Sequence, residues 1–466
     1  MSSVQTTLGR VRGTAADGVL AFRGIPYATN SSGADRFAAP IPFPAWSGER
    51  DARAFGPTSP QPDRGGAFDP LDLTPFFGPG WVAGDLPLTV NVWTPSVPSH
   101  EPLPVLVFVH GGAFVAGSTA ASLYDGAAFA RAGIVCVTVN YRLGVPGWLH
   151  LPDAPANRGL LDVLAALRWV QREIGSFGGD PGRVTLAGQS AGAMIVAAAL
   201  ADQRFAGTFG QAIVASGSGL GALLPAQASL VTERVAYHLG IGPTASDFAT
   251  IDDATLIDSL SCLTGLDLRL PGVRHPLAGI TPFAPVLDEQ PAVTIGAGRG
   301  IPAALLLGAT THEGNLYTAP VPGGEAEALA VAAAASPGGS GPADPPHTNW
   351  DELRSAILTE AVFREGTRAL SAASVEARNP TFEYEFTWPS AAIGGTLGAA
   401  HGVDLPFVFG RAGAADLRGD RGLLGPEGGP ARLEAEMHGA WIRFVTYGKP
   451  GWDATAAGWP TVRRFG

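Results

Sequence analysis

A serine at the centre of the segment Gly188-Gln189-Ser190-Ala191-Gly192 has the surroundings of a catalytic nucleophile. The segment fits the pattern G-x-S-x-G, follows a strand-like run at 184–187 and opens a strongly helical run. A turn of this kind strains the backbone and lifts the hydroxyl above the sheet, and its glycines leave room where strand and helix approach closely. The pattern predicts Ser190 as the nucleophile. The alternative is a serine that caps a helix in a glycine-rich turn.

A glycine pair follows another strand-like run, in the segment His110-Gly111-Gly112-Ala113-Phe114. Consecutive glycines let backbone N–H groups turn toward one point, where they can stabilise the oxyanion of acyl transfer by roughly 3–4 kcal/mol each. We expect the donors to be Gly111, Gly112 and the amide of Ala191. An ordinary turn after a strand is the alternative, and the serine motif downstream favours the oxyanion role.

Chain order predicts the base and the acid, because a nucleophile of this type is followed by Asp or Glu and then by His. Among nine histidines, His401 ends a Gly/Ala-rich loop and precedes an apolar segment, whereas His312 is a minor competitor. Glu313 follows a predicted strand, from which its carboxylate can reach the far nitrogen of an imidazole. A solvated loop charge remains the alternative for Glu313, and Asp288 and Glu289 are weaker candidates for the acid.

The elements that must position these side chains alternate between short apolar strands and helices. The predicted strands are 103–109, 134–140, 183–187, 211–215, 303–307 and 381–387, and the predicted helices are 160–174 and 191–201. Such alternation implies an α/β fold with a mostly parallel sheet covered on both faces and an active site beyond the carboxyl ends of the strands. Together with the serine motif, it predicts the α/β-hydrolase fold.

The size and composition of the chain fit one large catalytic domain. We expect the 466 residues to form a single domain over 1–466, with insertions around 220–280 and 318–400. Low-complexity stretches at 321–347 and 410–430 are interpreted as surface excursions or a cap. With a net charge of −11 and no basic run, the chain is not expected to bind nucleic acid.

Sparse cysteines and the absence of long apolar runs bear on the compartment. Cys136 and Cys262 cannot form a disulfide framework, which favours a reducing, cytoplasmic setting. Residues 1–13 lack an apolar signal-peptide core and no apolar stretch reaches 18 residues, so neither export nor a membrane span is expected. A leader that has been removed would still allow secretion. We expect a monomer or a homodimer.

The chain resembles the type B carboxylesterase/cholinesterase family, most of all its bacterial members similar to para-nitrobenzyl esterase. The similar segments are 177–192, 22–28, 91–95, 140–144, 216–218 and 283–288. The resemblance runs from about residue 8 to the end and implies that Glu313 and His401 complete a triad with Ser190. It implies an ester hydrolase that needs neither a metal nor a cofactor.

Three features depart from the family pattern. Gln189 stands where the family often has Glu, which removes a charge near the site but no required catalytic group. Pro87 stands where many members have a cysteine, which supports an intracellular bacterial type of enzyme. The loops between residues 219 and 282 are short, from which we infer a more open entrance to the active site.

The expected substrate is a neutral, small-to-medium ester with an apolar part. Residues predicted to contact substrate are Phe114, Leu220 and Phe407 toward the acyl group and Trp81, with Phe76 and Phe77, toward the alcohol. The aromatic residues of 68–81 serve equally well as packing for a surface loop. An amide or carbamate hydrolase with the same triad, a secreted polyester-degrading enzyme and a non-catalytic binding module of the same fold are the alternatives.

Overall fold

A computed structural model describes residues 3–29, 35–63, 68–97, 99–336, 349–456 and 461–466. The strands are β1 (Ser3–Gln5), β2 (Arg10–Arg12), β3 (Thr14–Ala16), β4 (Val19–Pro26), β5 (Ala28–Thr29), β6 (Ile41–Pro42), β7 (Glu49–Asp51), β8 (Thr89–Pro95), β9 (Leu103–Val109), β10 (Val135–Val139), β11 (Gly179–Gln189), β12 (Gln211–Ala215), β13 (Ala304–Thr310), β14 (Thr381–Phe386) and β15 (Val462–Phe465).

Helices connect and cover these strands. They are α1 (Thr74–Phe77), α2 (Ala127–Arg131), α3 (Gly144–Trp148), α4 (Arg158–Glu173), α5 (Ala191–Leu200), α6 (Pro225–Leu239), α7 (Ala245–Phe248), α8 (Asp253–Asp258), α9 (Pro291–Gly296), α10 (Asn315–Thr318), α11 (Glu325–Ala335), α12 (Trp350–Leu358), α13 (Glu365–Glu376), α14 (Leu405–Val408) and α15 (Ala431–Tyr447). A π-helical segment, Thr359–Arg364, joins α12 to α13.

Ten strands form the central sheet, in the order β15-β14-β13-β12-β11-β9-β10-β8-β4-β3. All neighbours from β15 to β10 are parallel, whereas β8, β4 and β3 add an antiparallel end. The mostly parallel sheet that the sequence predicts is therefore confirmed. Parallel strands align their carboxyl ends along one edge, where ligands bind in folds of this type.

Apolar residues pack on both faces of this sheet. One hydrophobic cluster includes α4 and α5, and the other includes α2 and α15. Trp169 and Trp441, one in each cluster, are fully buried. Because both faces are covered, the strands are continuous apolar runs instead of alternating ones, which is why they could be found from composition.

Most predicted boundaries agree with the structure to within two residues, but β11 begins at Gly179, four residues before its predicted start, and ends at Gln189. β9 and β12 have the predicted limits, but β13 continues through Gly308 to Thr310. A Cβ at Gly308 would lie 2.5 Å from the ring of Tyr384 on the neighbouring strand. The glycine therefore makes room for an aromatic ring and does not end the strand, a role that composition alone does not reveal.

The two regions predicted as insertions contain helices. Residues 220–280 include α6, α7 and α8, and residues 318–400 include α11, α12 and α13. Part of the first low-complexity stretch folds as α11, whereas its portion at 337–347 lies outside the described residues. Among the residues that the structure covers, none of the helices has both the length and the apolar character needed to cross a membrane.

Candidate active site

Ser190 occupies a strained turn between β11 and α5. Its φ and ψ are 57° and −124°, a region that non-glycine residues rarely adopt. A Cβ at Gly188 would lie 2.4 Å from Gly192, and one at Gly192 would lie 2.1 Å from the carbonyl oxygen of Val109. The glycines on either side of the serine are thus required by the close contact of β11, α5 and β9. This geometry is that of a nucleophile elbow.

Glu313 and His401 meet at the carboxyl edge of the sheet. Glu313 lies three residues beyond β13, and His401 precedes α14. The Nδ1 atom of His401 lies 2.5 Å from Oε2 of Glu313, and both side chains are buried. A carboxylate in this position fixes the tautomer of the imidazole and leaves Nε2 free of a proton.

The second carboxylate oxygen of Glu313 is also held. Oε1 accepts a hydrogen bond from the hydroxyl of Ser216 at 2.6 Å and from the amide of Thr310 at 2.7 Å. Three donors therefore surround this carboxylate in a site without solvent. Such charge-assisted bonds fix both its orientation and that of the imidazole.

Ser190 and His401 line one small cavity of about 90 Å³. The Ser190 hydroxyl makes no hydrogen bond with any described residue. His401 Nε2 lies instead 3.0 Å from the side-chain nitrogen of Gln189. The structure thus brings the serine, the imidazole and the carboxylate together, with the imidazole paired to the neighbour of the nucleophile.

The loop after β9 has three successive residues with positive φ, at Gly112 (113°), Ala113 (56°) and Phe114 (64°). Gly112 and Ala113 line the cavity beside Ser190. Gly111 instead packs against Gln189, where a Cβ would lie 2.5 Å from Oε1. Of the two predicted loop donors, only Gly112 is part of the cavity wall, and Ala113 is a wall residue that the sequence analysis did not single out.

Two aromatic rings flank the imidazole of His401. The ring of Phe363 lies 4.6 Å from it between centroids, and that of Tyr317 lies 5.9 Å away. Phe363 belongs to the π-helical segment that precedes α13. Segments of this kind occur often at functional sites, where the extra residue in the turn redirects a side chain.

Asp404 is a second buried carboxyl group near the triad. It is fully buried, and neither of its oxygens has a hydrogen-bond partner among the described residues. Burial, followed by the charge of Glu313, raises the pKa of Asp404 to about 7. The buried hydroxyl of Tyr384 lies beside Asp404, and burial together with the neighbouring carboxyl groups raises the pKa of Tyr384 well above its ordinary value. In the described residues, no three His, Cys, Asp or Glu side chains are grouped as metal ligands.

Of the residues predicted to contact substrate, Phe76 and Phe77 line the cavity, whereas Phe114, Leu220, Phe407 and Trp81 do not. Its apolar wall consists of Phe68, Phe76, Phe77, Ile280, Leu316 and Tyr317. Phe114 is buried against Trp148, and Phe407 packs against Phe386. Leu220 is half-buried outside the wall, and Trp81 is 39% exposed. Phe114 and Phe407 were predicted because they stand near motif residues in the sequence. Both side chains point into the core, so nearness to a motif did not place them at the cavity.

Sequence reasoning also underestimated three polar residues. Gln189 was expected to matter only as a lost charge, but its amide contacts the imidazole. Ser216 was noted only as part of a similar segment, although it binds Glu313. Asp404 stands three residues after His401, and the only available signal was an acidic residue within an apolar run.

Comparison with known proteins identifies the family of the chain. The model of the carboxylesterase family matches residues 1–331. Para-nitrobenzyl esterase of Bacillus subtilis (strain 168) is 34% identical over 479 residues, which cover 98% of this chain and 92% of that protein. Fumonisin B1 esterase of Sphingopyxis macrogoltabida is 32% identical over 492 residues, which cover 99% and 84%.

A solved structure of a PNB esterase superposes with a TM-score of 0.83 at 30% sequence identity, covering 100% of this chain and 96% of that one. The expected α/β-hydrolase fold is confirmed by this similarity, and so is the expected class of enzyme, a serine ester hydrolase. The chain belongs to the carboxylesterase family.

Proposed function

We propose that Ser190, His401 and Glu313 hydrolyse esters through an acyl-enzyme. The observation that carries this proposal is that Ser190 and His401 open onto one cavity while Glu313 holds Nδ1 of the imidazole. The Ser190 oxygen attacks the ester carbonyl as its proton passes to Nε2 of His401. The imidazolium then protonates the leaving alcohol, and water releases the acid by the same route.

Backbone amides stabilise the negative oxygen of the tetrahedral intermediate. The loop donors are best assigned to Gly112 and Ala113, because both line the cavity, and Ala191 supplies the third amide at the start of α5. No described acceptor engages these three amides. Preorganised donors of this kind need no rearrangement during the reaction, which is why they contribute strongly to catalysis.

The lining of the cavity supports a neutral substrate with a short acyl group. Its volume is about 90 Å³, and among the described residues no Asp, Glu, Lys or Arg side chain forms its wall. A larger cavity of about 450 Å³ adjoins it at Phe68 and Phe77 and contains Asp72 and Arg421. The smaller space suits the acyl group, and the larger and more polar one suits the alcohol. We favour ester over amide hydrolysis, because two relatives of the chain are named as a para-nitrobenzyl esterase and a fumonisin B1 esterase.

The compartment and the assembly complete the proposal. Cys136 and Cys262 are both free thiols, as suits a protein of the reducing cytoplasm. We propose that the enzyme acts there as a monomer or homodimer, as one catalytic domain over residues 1–466.

Replacing the nucleophile tests the function directly. Ser190→Ala should lower kcat for p-nitrophenyl acetate by about a millionfold and abolish stoichiometric labelling by an organophosphate. Ser229→Ala is the control, because it removes a hydroxyl that donates a hydrogen bond to the carbonyl of Pro225 within the same helix, α6. It should leave both the turnover and the labelling unchanged. A Ser190→Ala protein that keeps more than a few per cent of the activity would overturn the proposal.

A further inference from the structure

Gln189 places a neutral hydrogen-bond donor on the reactive nitrogen of the catalytic imidazole. It is the last residue of β11 and is fully buried. Its side-chain nitrogen lies 3.0 Å from Nε2 of His401. Because Nδ1 of the same ring faces the Glu313 carboxylate, Nδ1 carries the proton and Nε2 must accept. The amide of Gln189 therefore donates to the lone pair that receives the serine proton during catalysis.

The Gln189 side chain is confined on its other side as well. Its carbonyl oxygen is buried without a partner among the described residues and lies against Gly111, where a Cβ would come within 2.5 Å. The amide is thus wedged between the oxyanion loop and the imidazole. A side chain with this little freedom keeps its donor aimed at Nε2.

We propose that Gln189 is a positioning residue that keeps His401 neutral and oriented until Ser190 takes its place on Nε2. This inference rests on the proposed function. A donor on Nε2 stabilises the unprotonated ring and opposes its protonation, because two N–H groups would then face each other. During catalysis the Ser190 hydroxyl replaces the Gln189 amide as the partner of Nε2. The serine proton then moves to Nε2 while the serine oxygen forms a bond to the carbonyl carbon of the ester.

A glutamate at this position would act in the opposite sense. A carboxylate has no proton to donate near neutral pH, so it would accept a hydrogen bond from the protonated ring and stabilise the imidazolium. Nε2 of His401 would then hold a proton up to a higher pH and could not accept one from Ser190. The amide consequently extends activity toward acidic pH.

The other groups around His401 are the same in every variant of residue 189. Glu313 faces Nδ1, and Asp404 lies buried near both of them, with Tyr384 beside it. The rings of Phe363 and Tyr317 cover the imidazole. Differences between variants at residue 189 therefore report on the partner of Nε2 alone.

The test is the acidic midpoint of kcat/KM against pH for p-nitrophenyl acetate. Gln189→Met keeps the length of the side chain and removes the donor, so its midpoint should lie about half a pH unit above that of the unmodified enzyme. Gln189→Glu should raise the midpoint by about one unit or more. A Met variant with the midpoint of the unmodified enzyme, or a lower one, overturns the inference and leaves only a packing role.

Two further measurements keep the result unambiguous. Nitrogen-15 NMR of the unmodified enzyme should show a ring protonated at Nδ1 and not at Nε2 near neutral pH, and the reverse tautomer would contradict the inference even if neither variant folds. Ser190→Ala distinguishes the two proposals. If that variant is inactive while all three midpoints coincide, the role of Gln189 fails and the esterase function stands.

Discussion

The two halves of the active site are built in different ways. In the proposed nucleophile half, backbone held at positive φ positions Gly112, Ala113 and Ser190, within the loop after β9 and the turn after β11. In the proposed base half, a hydrogen bond joins the side chains of Glu313 and His401, which stand 88 residues apart in the sequence. The comparison teaches that strain in the backbone positions one half, whereas a buried polar network positions the other.

Each half therefore has its own characteristic failure. The backbone half depends on space, because a single Cβ would collide with neighbouring main-chain atoms. The side-chain half depends on hydrogen-bond partners, because each buried polar group that loses one is left unsatisfied. Substitutions that remove space or partners selectively can establish whether the distinction holds.

After loss of the nucleophile itself, the largest effect is expected in the backbone half, from Gly112→Ala. Its φ is 113°, and the new Cβ would lie 1.9 Å from the carbonyl oxygen of Ala116, so the loop must move. Displacing an oxyanion donor should lower kcat by about 100- to 1,000-fold with little change in KM. Steady-state kinetics on p-nitrophenyl acetate measures this.

Gly133→Ala is the matched control for Gly112→Ala. Gly133 also has a positive φ, of 81°, but nothing lies within 4 Å of a Cβ built there. That variant should lose about 1 kcal/mol of stability from the backbone alone and keep its activity. If Gly112→Ala retained more than a third of the original kcat, the loop would not be the oxyanion site.

A smaller effect is expected in the side-chain half, from Ser216→Ala. The substitution removes one of three donors to Glu313 but keeps the Cβ, so the backbone strain at Ser216 is unchanged. Loss of a hydrogen bond to a charged group should lower kcat/KM by about tenfold. Ser218→Ala is the control, because its hydroxyl contacts the amide of Leu220 and not Glu313. Equal losses in both variants would argue against a specific role for Ser216.

The same distinction explains how much could be predicted from the sequence. The elbow at Ser190 and the loop at Gly112 were recognisable because the close contacts at Gly188 and Gly192 and the positive φ of Gly112 favour glycine, and glycines within a short segment are visible in the sequence. Parallel strands were recognisable as buried apolar runs. Chain order left several candidates for the acid and the base, and the family resemblance pointed to Glu313 and His401, which lie together in the structure.

The remaining features depend on which side chains meet after folding. The contact between Gln189 and His401 spans 212 residues, and that between Ser216 and Glu313 spans 97. No local pattern reports such contacts. The cavity wall was predicted only in part for the same reason. Phe76 and Phe77 were named, but Ile280 reaches the wall from a loop and Leu316 from α10, whereas Phe407 points into the core.

The last prediction concerns stability and not turnover: Asp404→Asn removes a buried ionisable group and not a hydrogen-bond partner of the catalytic side chains. Burial and the charge of Glu313 raise the pKa of Asp404 to about 7, from 3.8 in the unfolded chain. Between these values the folded protein holds a proton that the unfolded chain has released, so the free energy of unfolding falls as the pH rises through this window. Asparagine cannot ionise and escapes this loss.

The Asp404→Asn variant should therefore gain stability relative to the unmodified protein as the pH rises from 4 to 7. The gain in unfolding free energy is at most about 1.4 kcal/mol per pH unit, and it should stay constant above pH 7. Urea unfolding at several pH values measures it. Asp162→Asn is the contrasting control, because Asp162 is equally buried but accepts bonds from the amide, Nε and NH2 group of Arg142. That variant leaves a buried guanidinium without its counter-charge and should destabilise the protein at neutral pH. A constant difference for Asp404→Asn across the window would mean that Asp404 is ionised and stabilised by its surroundings, and the base half would then hold two carboxylates side by side.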